Sequence, residues 1–485
     1  MASIRKNLTL QTCYQVLSVC LPLITAPYLA RVLGASALGI FSYTSAVVGY
    51  FTLFAFLGTG NYGTRTIATV RDNPEALNTN FWSIFALQVC STALLSIAYI
   101  VYLLFFCREN QVVAIIQGLM LLSCVANISW LFFGLENFTV TVTRSIVVKF
   151  ITLVCILLFV KSPGDLWLYT LIMSGGSVLS QAILWFNLPK DIHFQCPALK
   201  EIIGHITPNL MLFFPLLAIS VYHLMDKTML GILSTYEQTG FYYNADKVVN
   251  IPLAILNGAG IVLLPRMSAL TEAKNYPEAD KLFVQTFCAI AAIGVAMGIG
   301  IAAVSREFVP LFFGPGYEPC VLLVYFFAPI FIIKSFSHVS STQFFIPRHQ
   351  EKKMTFAICI GAVANLICNI TLIPVYGAVG AVIGTLVAEL LSCLFQFKFV
   401  LMAISLKKAF TQVAIYICVG IIMWLGVRWI HPYLPGSVVA LLIEIIVGSV
   451  IYTGLCALYW KKTHNPLLSQ LYQYCQSIKN KLYNN

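Results

Sequence analysis

YHLMDKTMLGILSTYEQTGFYYNADKVVNIPLAILNGAGIVLLP, residues 222–265, decides the fold of this chain. Two apolar segments flank a short polar turn, 234–240, and each is long enough to belong to a helix of the ~20 residues that a bilayer requires. Asp226, Lys227, Asp246 and Lys247 fall inside or at the edge of these segments. An ionisable group at the centre of a membrane helix costs roughly 2.5–3.5 kcal/mol on insertion scales, so it pairs or lines a wet cavity. The stretch therefore predicts a membrane-spanning hairpin with a functional site close to its turn.

The rest of the chain extends the pattern. Hydrophobic residues make up 59% of the sequence and charged residues 10%, against roughly 25% charged in soluble domains. Length then counts spans rather than domains. Fourteen apolar segments are expected, at 8–30, 38–60, 81–106, 112–133, 140–160, 166–188 and 206–230, then 242–264, 282–304, 321–345, 354–374, 379–402, 410–430 and 438–460. The fold class is all-α and polytopic. The polar tail from 461 to 485 reads as an amphipathic or frayed end.

The net charge of +11 is scattered, with no basic run longer than two residues. It reads as loop charge that sets orientation rather than as a nucleic-acid surface. Arg5, Lys6, Arg65, Arg71, Lys352, Lys353, Lys407, Lys408, Lys461 and Lys462 fall on one side, and only Arg31, Arg108, Lys161, Arg306 and Arg428 on the other. Both termini are expected in the cytoplasm, and the localisation is the cell (cytoplasmic) membrane. The 15 cysteines sit mostly singly in apolar segments, without C-x-x-C, and read as small hydrophobes rather than metal ligands. No polar connection has room for an inserted catalytic or nucleotide-binding domain, and no G-x-x-x-x-G-K-[ST] occurs.

An internal repeat organises the spans. LGASALGIFSYTSA at 33–46 matches LGILSTYEQTGFYYNA at 230–245. Each has Leu-Gly leaving a helix, a short polar turn, a further glycine with an aromatic close behind, and a small or polar helix start. Residues 164–181 and 377–394 form a second, glycine-rich pair. The two Leu-Gly loops emerge on the same side only if the repeating unit has six spans. The domains are then an N-terminal lobe, 1–204, a C-terminal lobe, 205–404, and two added helices with the tail, 405–485. Parallel repeats place a substrate site between the halves.

The pattern N-x(7)-Q-x(6)-P-x(4)-P-Y-L-A-R-x-L-G, from Asn7 to Gly34, resembles the polysaccharide repeat-unit flippases of the multidrug/oligosaccharidyl-lipid/polysaccharide exporter superfamily. So do Asp226-Lys227 followed by Leu-Gly, and Gly240-Phe-Tyr with Ala245, Lys247, Pro252 and Pro265. The resemblance covers nearly the whole chain and is specific to the family, not to a substrate. It implies a translocase of lipid-linked oligosaccharides, with 12–14 spans and a cationic cavity between two lobes. The implied partners are an undecaprenyl-pyrophosphate-linked oligosaccharide, membrane lipid and other polysaccharide-assembly proteins. A monomer is expected, with no nucleic acid, no cofactor and no covalent catalysis.

The candidate cavity residues are Arg31, Lys149, Asp226, Lys227, Asp246, Lys247, Lys334 and His338. Cations there suit a pyrophosphate. The alternatives are plain ones. Asp226 and Lys247 neutralise each other across the hairpin, Arg31 snorkels to head groups, and Arg144 anchors an interface. Ser337, His338 and Ser341 continue the helical face of Lys334. Glu389 and Glu444 are mid-span carboxylates suited either to ion or proton coupling or to pairing with a basic residue. Two rival functions remain on sequence alone: a drug or cation exporter of the same superfamily, and a membrane-embedded polymerase or ligase.

Overall fold

The computed structural model describes residues 2–434 and 438–463, with side chains described except at 2–16, 19, 214–216, 218, 219, 222, 255 and 257–262. Asn7, Gln15, Pro215, Tyr222, Gly258 and Gly260 lie outside the described side chains, and most of the tail from 461 lies outside the described residues. Every regular element described is helical. In order these are α1 (Ala2–Phe56), α2 (Thr59–Val70), α3 (Pro74–Phe105), α4 (Gln111–Gln117), α5 (Leu119–Ala126), α6 (Ser129–Gly134), α7 (Phe138–Phe159), α8 (Leu166–Trp185) and α9 (Leu199–Leu233). Then come α10 (Tyr236–Glu272), α11 (Tyr276–Phe313), α12 (Glu318–Phe327), α13 (Pro329–Ser340), α14 (Glu351–Tyr376), α15 (Ala378–Ala403), α16 (Lys407–Ile430) and α17 (Val438–Lys462).

Among the described residues, eleven helical stretches are long and apolar enough to cross a membrane. The chain is a multi-pass membrane protein. The eleven do not establish the expected fourteen: 8–30 and 38–60 run on through α1, and the segments in α9 and α10 are not among them. The continuity of α1 is broken at Gly34, whose φ of 79° and ψ of 171° are non-helical. Positive φ is open to glycine at no steric cost, so Leu33-Gly34 ends a helix as the repeat implies.

The segment expected as one span at 112–133 is three short helices, interrupted at Gly118 and Asn127. Breaks inside a membrane free backbone carbonyls that must find donors. Gln88 of α3, fully buried, supplies them. Its Nε2 donates to the carbonyls of Cys124, Val125 and Asn127 at 2.6, 3.2 and 3.0 Å, and its Oε1 accepts from Trp130 Nε1 at 3.1 Å. Gln88→Leu is expected to leave buried groups unmet at about 1–3 kcal/mol each. A lowered unfolding temperature in detergent checks this, and an unchanged one would mean that another group closes the break. The segment 321–345 is likewise divided, at Pro329, and ends in a π-helical turn, Ser341–Phe345.

The chain falls into two compact units, Met1–Asn244 with Asn369–Ala381, and Ala245–Cys368 with Val382–Asn485. The first is built on a core of Ile67, Phe81, Ile84, Trp130, Phe132 and Leu184. In the second, Val295, Tyr416, Met423 and Tyr452 join α11, α16 and α17. Close packing explains two of the glycines there: a Cβ on Gly294 would stand 2.0 Å from Ser335 Oγ, and one on Gly298 2.6 Å from the Ala328 carbonyl. Small residues at such crossings let helices approach in lipid.

Candidate functional site

The polar turn after α9 is set locally. Thr235 precedes α10, and its hydroxyl accepts from the Gln238 amide at 3.2 Å, as an N-terminal capping residue does. Beside it the two copies of the repeat meet. A Cβ on Gly39 would lie 1.6 Å from the Tyr236 carbonyl oxygen, and a Cβ on Gly240 would lie 1.9 Å from the Ala35 carbonyl oxygen. The contact is reciprocal, a glycine of each copy against a carbonyl of the other. Only glycine fits at either place. Tyr43 and Tyr236 add a ring contact at 5.9 Å.

Two turns before the C-terminal end of α9, Asp226 is 4% exposed. Tyr242 Oη donates to its Oδ2 at 2.6 Å, and Asn369 Nδ2 donates to its Oδ1 at 2.7 Å. Both donors are buried neutral groups. A charge in an apolar surround is tolerated when its lone pairs are met in this way. Half-buried Lys227 lies over the Tyr243 ring, 5.8 Å from its centroid. Tyr243 in turn lies 6.3 Å from Phe41, which lies 4.7 Å from Tyr169. The cation thus ends a row of aromatic rings, held by its attraction to a ring face.

A cavity of about 620 Å³ lies in the same unit. Thr52 and Phe56 of α1, Asn61 of α2, Asn127, and Phe213, Ser220 and His223 of α9 line it. His223 places this cavity on the helix of Asp226 and Lys227, one turn away. Amide, hydroxyl and imidazole groups on apolar walls offer hydrogen bonds to a polar ligand without a fixed net charge.

The remaining expected residues divide between the units. Arg31 of the first unit is exposed, three residues before the break at Gly34. Lys149 Nζ donates to Ser18 Oγ at 2.7 Å, tying α7 to α1. Arg144, expected as an interface anchor, turns inward: its Nη1 donates to the Ser180 carbonyl at 2.8 Å and to Gln181 Oε1 at 2.7 Å. Asp246 and Lys247 begin the second unit's part of α10, and both are half-buried. Asn250 Nδ2 donates to Asp246 Oδ1 at 2.7 Å along the shared face.

Lys334 forms an ion pair with Glu389, their side chains 27% and 11% exposed. Seven residues on, Ser341 donates to Gln396 Oε1 at 3.4 Å. Lys334 on α13 and Ser341 in its π turn therefore have polar partners at the same spacing on α15. Glu444 is buried and bonded to His431 Nδ1 at 2.8 Å. For both carboxylates the structure supplies the basic partner that the sequence left open.

Sequence reasoning missed Asn369, Tyr242, Asn61 and Asn127. Asn369 lies 143 residues from Asp226, and no spacing rule connects the two. Tyr242 was one of three consecutive aromatics and could not be told from a packing residue.

The family model described as polysaccharide biosynthesis protein matches residues 4–271, more than half of the chain. A protein of Escherichia coli (strain K12) named "Putative O-antigen transporter" is 23% identical over 403 residues, covering 82% of this chain and 97% of that one. A Haloferax volcanii protein named "Probable low-salt glycan biosynthesis flippase Agl15" is 23% identical over 240 residues, 49% of this chain and 50% of that one. The solved structure of a lipid II flippase, MurJ, in an inward closed conformation superposes with a TM-score of 0.76 at 13% identity, covering 94% of this chain and 99% of that one. At that identity the match shows the fold alone. On the match over residues 4–271, this chain belongs to the polysaccharide biosynthesis protein family.

Proposed function

We propose that the protein is a flippase. It moves an oligosaccharide repeat unit on an undecaprenyl-pyrophosphate carrier from the inner to the outer leaflet of the cytoplasmic membrane, for assembly of a surface polysaccharide. The observation that carries the reading is the alignment with the O-antigen transporter over 97% of its length. Lys227, held on an aromatic row in a membrane protein, supports it: an ammonium there serves a phosphate better than a cationic cargo. The polyprenyl tail stays in lipid, and the lobes, 1–204 and 205–404 with 405–485 appended, alternate their access to the two sides. Both termini are cytoplasmic on the loop charges. The protein works as a monomer beside other assembly proteins and uses no cofactor. Glu389 and Glu444 hold Lys334 and His431, so Asp226 is the carboxylate on which ion or proton coupling is to be sought.

The test is genetic. Lys227→Gln, Lys247→Gln and Arg31→Gln each remove a charged donor worth about 1.5–3 kcal/mol to a bound phosphate. Surface polymer is expected to fall roughly ten- to hundredfold, with lipid-linked intermediate accumulating inside and membrane levels of protein unchanged. Normal polymer in all three variants would take these cations out of the translocation path.

A further inference from the structure

Four ionisable residues of the second unit, the His431–Glu444 pair among them, meet at one end of α11, α16 and α17. Arg428 Nη1 donates to Glu307 Oε1 at 2.8 Å. His431 Nδ1 lies 3.3 Å from that same oxygen and 2.8 Å from Glu444 Oε1. One ligand atom from each of Glu307, His431 and Glu444 lies within 4.8 Å of the others. Helix geometry brings them there: Glu307 is near the C-terminal end of α11, His431 directly follows α16, and Glu444 is two turns into α17.

The second observation is what the carboxylates lack. Glu444 is 1% exposed, and among the described residues its Oε2 is buried without a hydrogen-bond partner, as is Glu307 Oε2. Buried carboxylate oxygens normally find donors. Two carboxylates share one guanidinium and one imidazole.

We propose that Glu307, His431 and Glu444 form a binding site for a divalent transition metal of the zinc class. Two carboxylates and a neutral imidazole make an oxygen and nitrogen set of the size that zinc takes with one position open. Calcium asks for six to eight oxygens, and magnesium for an octahedron rich in water. Arg428 occupies Oε1 of Glu307 and leaves Oε2 to the metal, the outer hydrogen bond that orients a ligating carboxylate. Each ligand comes from a different element, so the metal staples the last helix pair to α11. On the proposed orientation this end of the helices faces outward.

The experiment uses the full-length protein in detergent, with accessible cysteines blocked by N-ethylmaleimide, titrated with zinc chloride in a calorimeter. Wild type is expected to bind one equivalent and to unfold at a higher temperature with zinc. Glu444→Gln and His431→Gln should each weaken binding about tenfold or more and remove the thermal shift. His431 is 42% exposed, so His431→Gln keeps the test alive if the buried glutamine variant does not fold. Equal zinc binding by wild type and His431→Gln, or none by wild type, overturns the proposal.

Discussion

Gly240→Val is expected to abolish surface polysaccharide while the protein still reaches the membrane. The two Leu-Gly loops touch through glycines at both ends of a reciprocal contact, and the atoms met by an added Cβ are backbone carbonyls at 1.6 and 1.9 Å. A flexible side chain gives way to an added methyl group at about 1–3 kcal/mol. A helix backbone has no rotamer to change, so the cost falls on the conformation in which the loops meet. A transporter that alternates needs that conformation once per cycle. Gly39→Val, the other half of the contact, should behave in the same way, and the two together should be no worse than one. Gly175→Ala is the control, because no atom of the described residues lies within 4 Å of its Cβ position. Surface polymer and lipid-linked intermediate, measured beside protein level, check the prediction. Normal polymer in Gly240→Val would mean that the contact is dispensable for transport.

The second large effect concerns stability. Glu389→Gln leaves the Lys334 ammonium, 27% exposed, without its carboxylate. Breaking a buried pair from one side costs about 3–5 kcal/mol, because a charge is left uncompensated. The partial exposure of Lys334 puts this case at the lower end. The double variant Lys334→Met with Glu389→Leu removes both charges and should recover most of the loss. Unfolding temperatures in detergent give the cycle, and the coupling between the two positions is the readout. Independent, additive losses would mean that the ion pair does not hold α13 to α15.

The sequence made the architecture legible because lipid leaves the chain few choices. Apolar runs of the right length, and glycines in matching loops, were visible without any knowledge of distant contacts. The division of 112–133 into three helices was not, because what makes it tolerable is Gln88 on another helix. The same holds at the site. Asp226 and Lys227 stood out because a charge in an apolar segment is costly wherever it points. Their partners did not: Asn369 is an amide in an apolar helix like any other until the fold sets it against Asp226. Lys334 with His338 and Ser341 was recognisable as a stripe. Its use was not, since a polar stripe at helical spacing serves a cavity or a neighbouring stripe equally well. Glu389 and Gln396 show that here a second helix answers Lys334 and Ser341.

The measurement that bears most directly on the central claim is translocation by the purified protein. It is reconstituted into liposomes carrying a labelled undecaprenyl-pyrophosphate oligosaccharide, and exposure of the sugar is read with a reagent that cannot cross the membrane. Wild type should move labelled carrier between leaflets faster than liposomes without protein, with Gly240→Val reduced to that background and the carrier-linked sugar chemically unchanged. Transfer no faster than in protein-free liposomes, or oligosaccharide joined into longer chains, would contradict the assignment as a flippase.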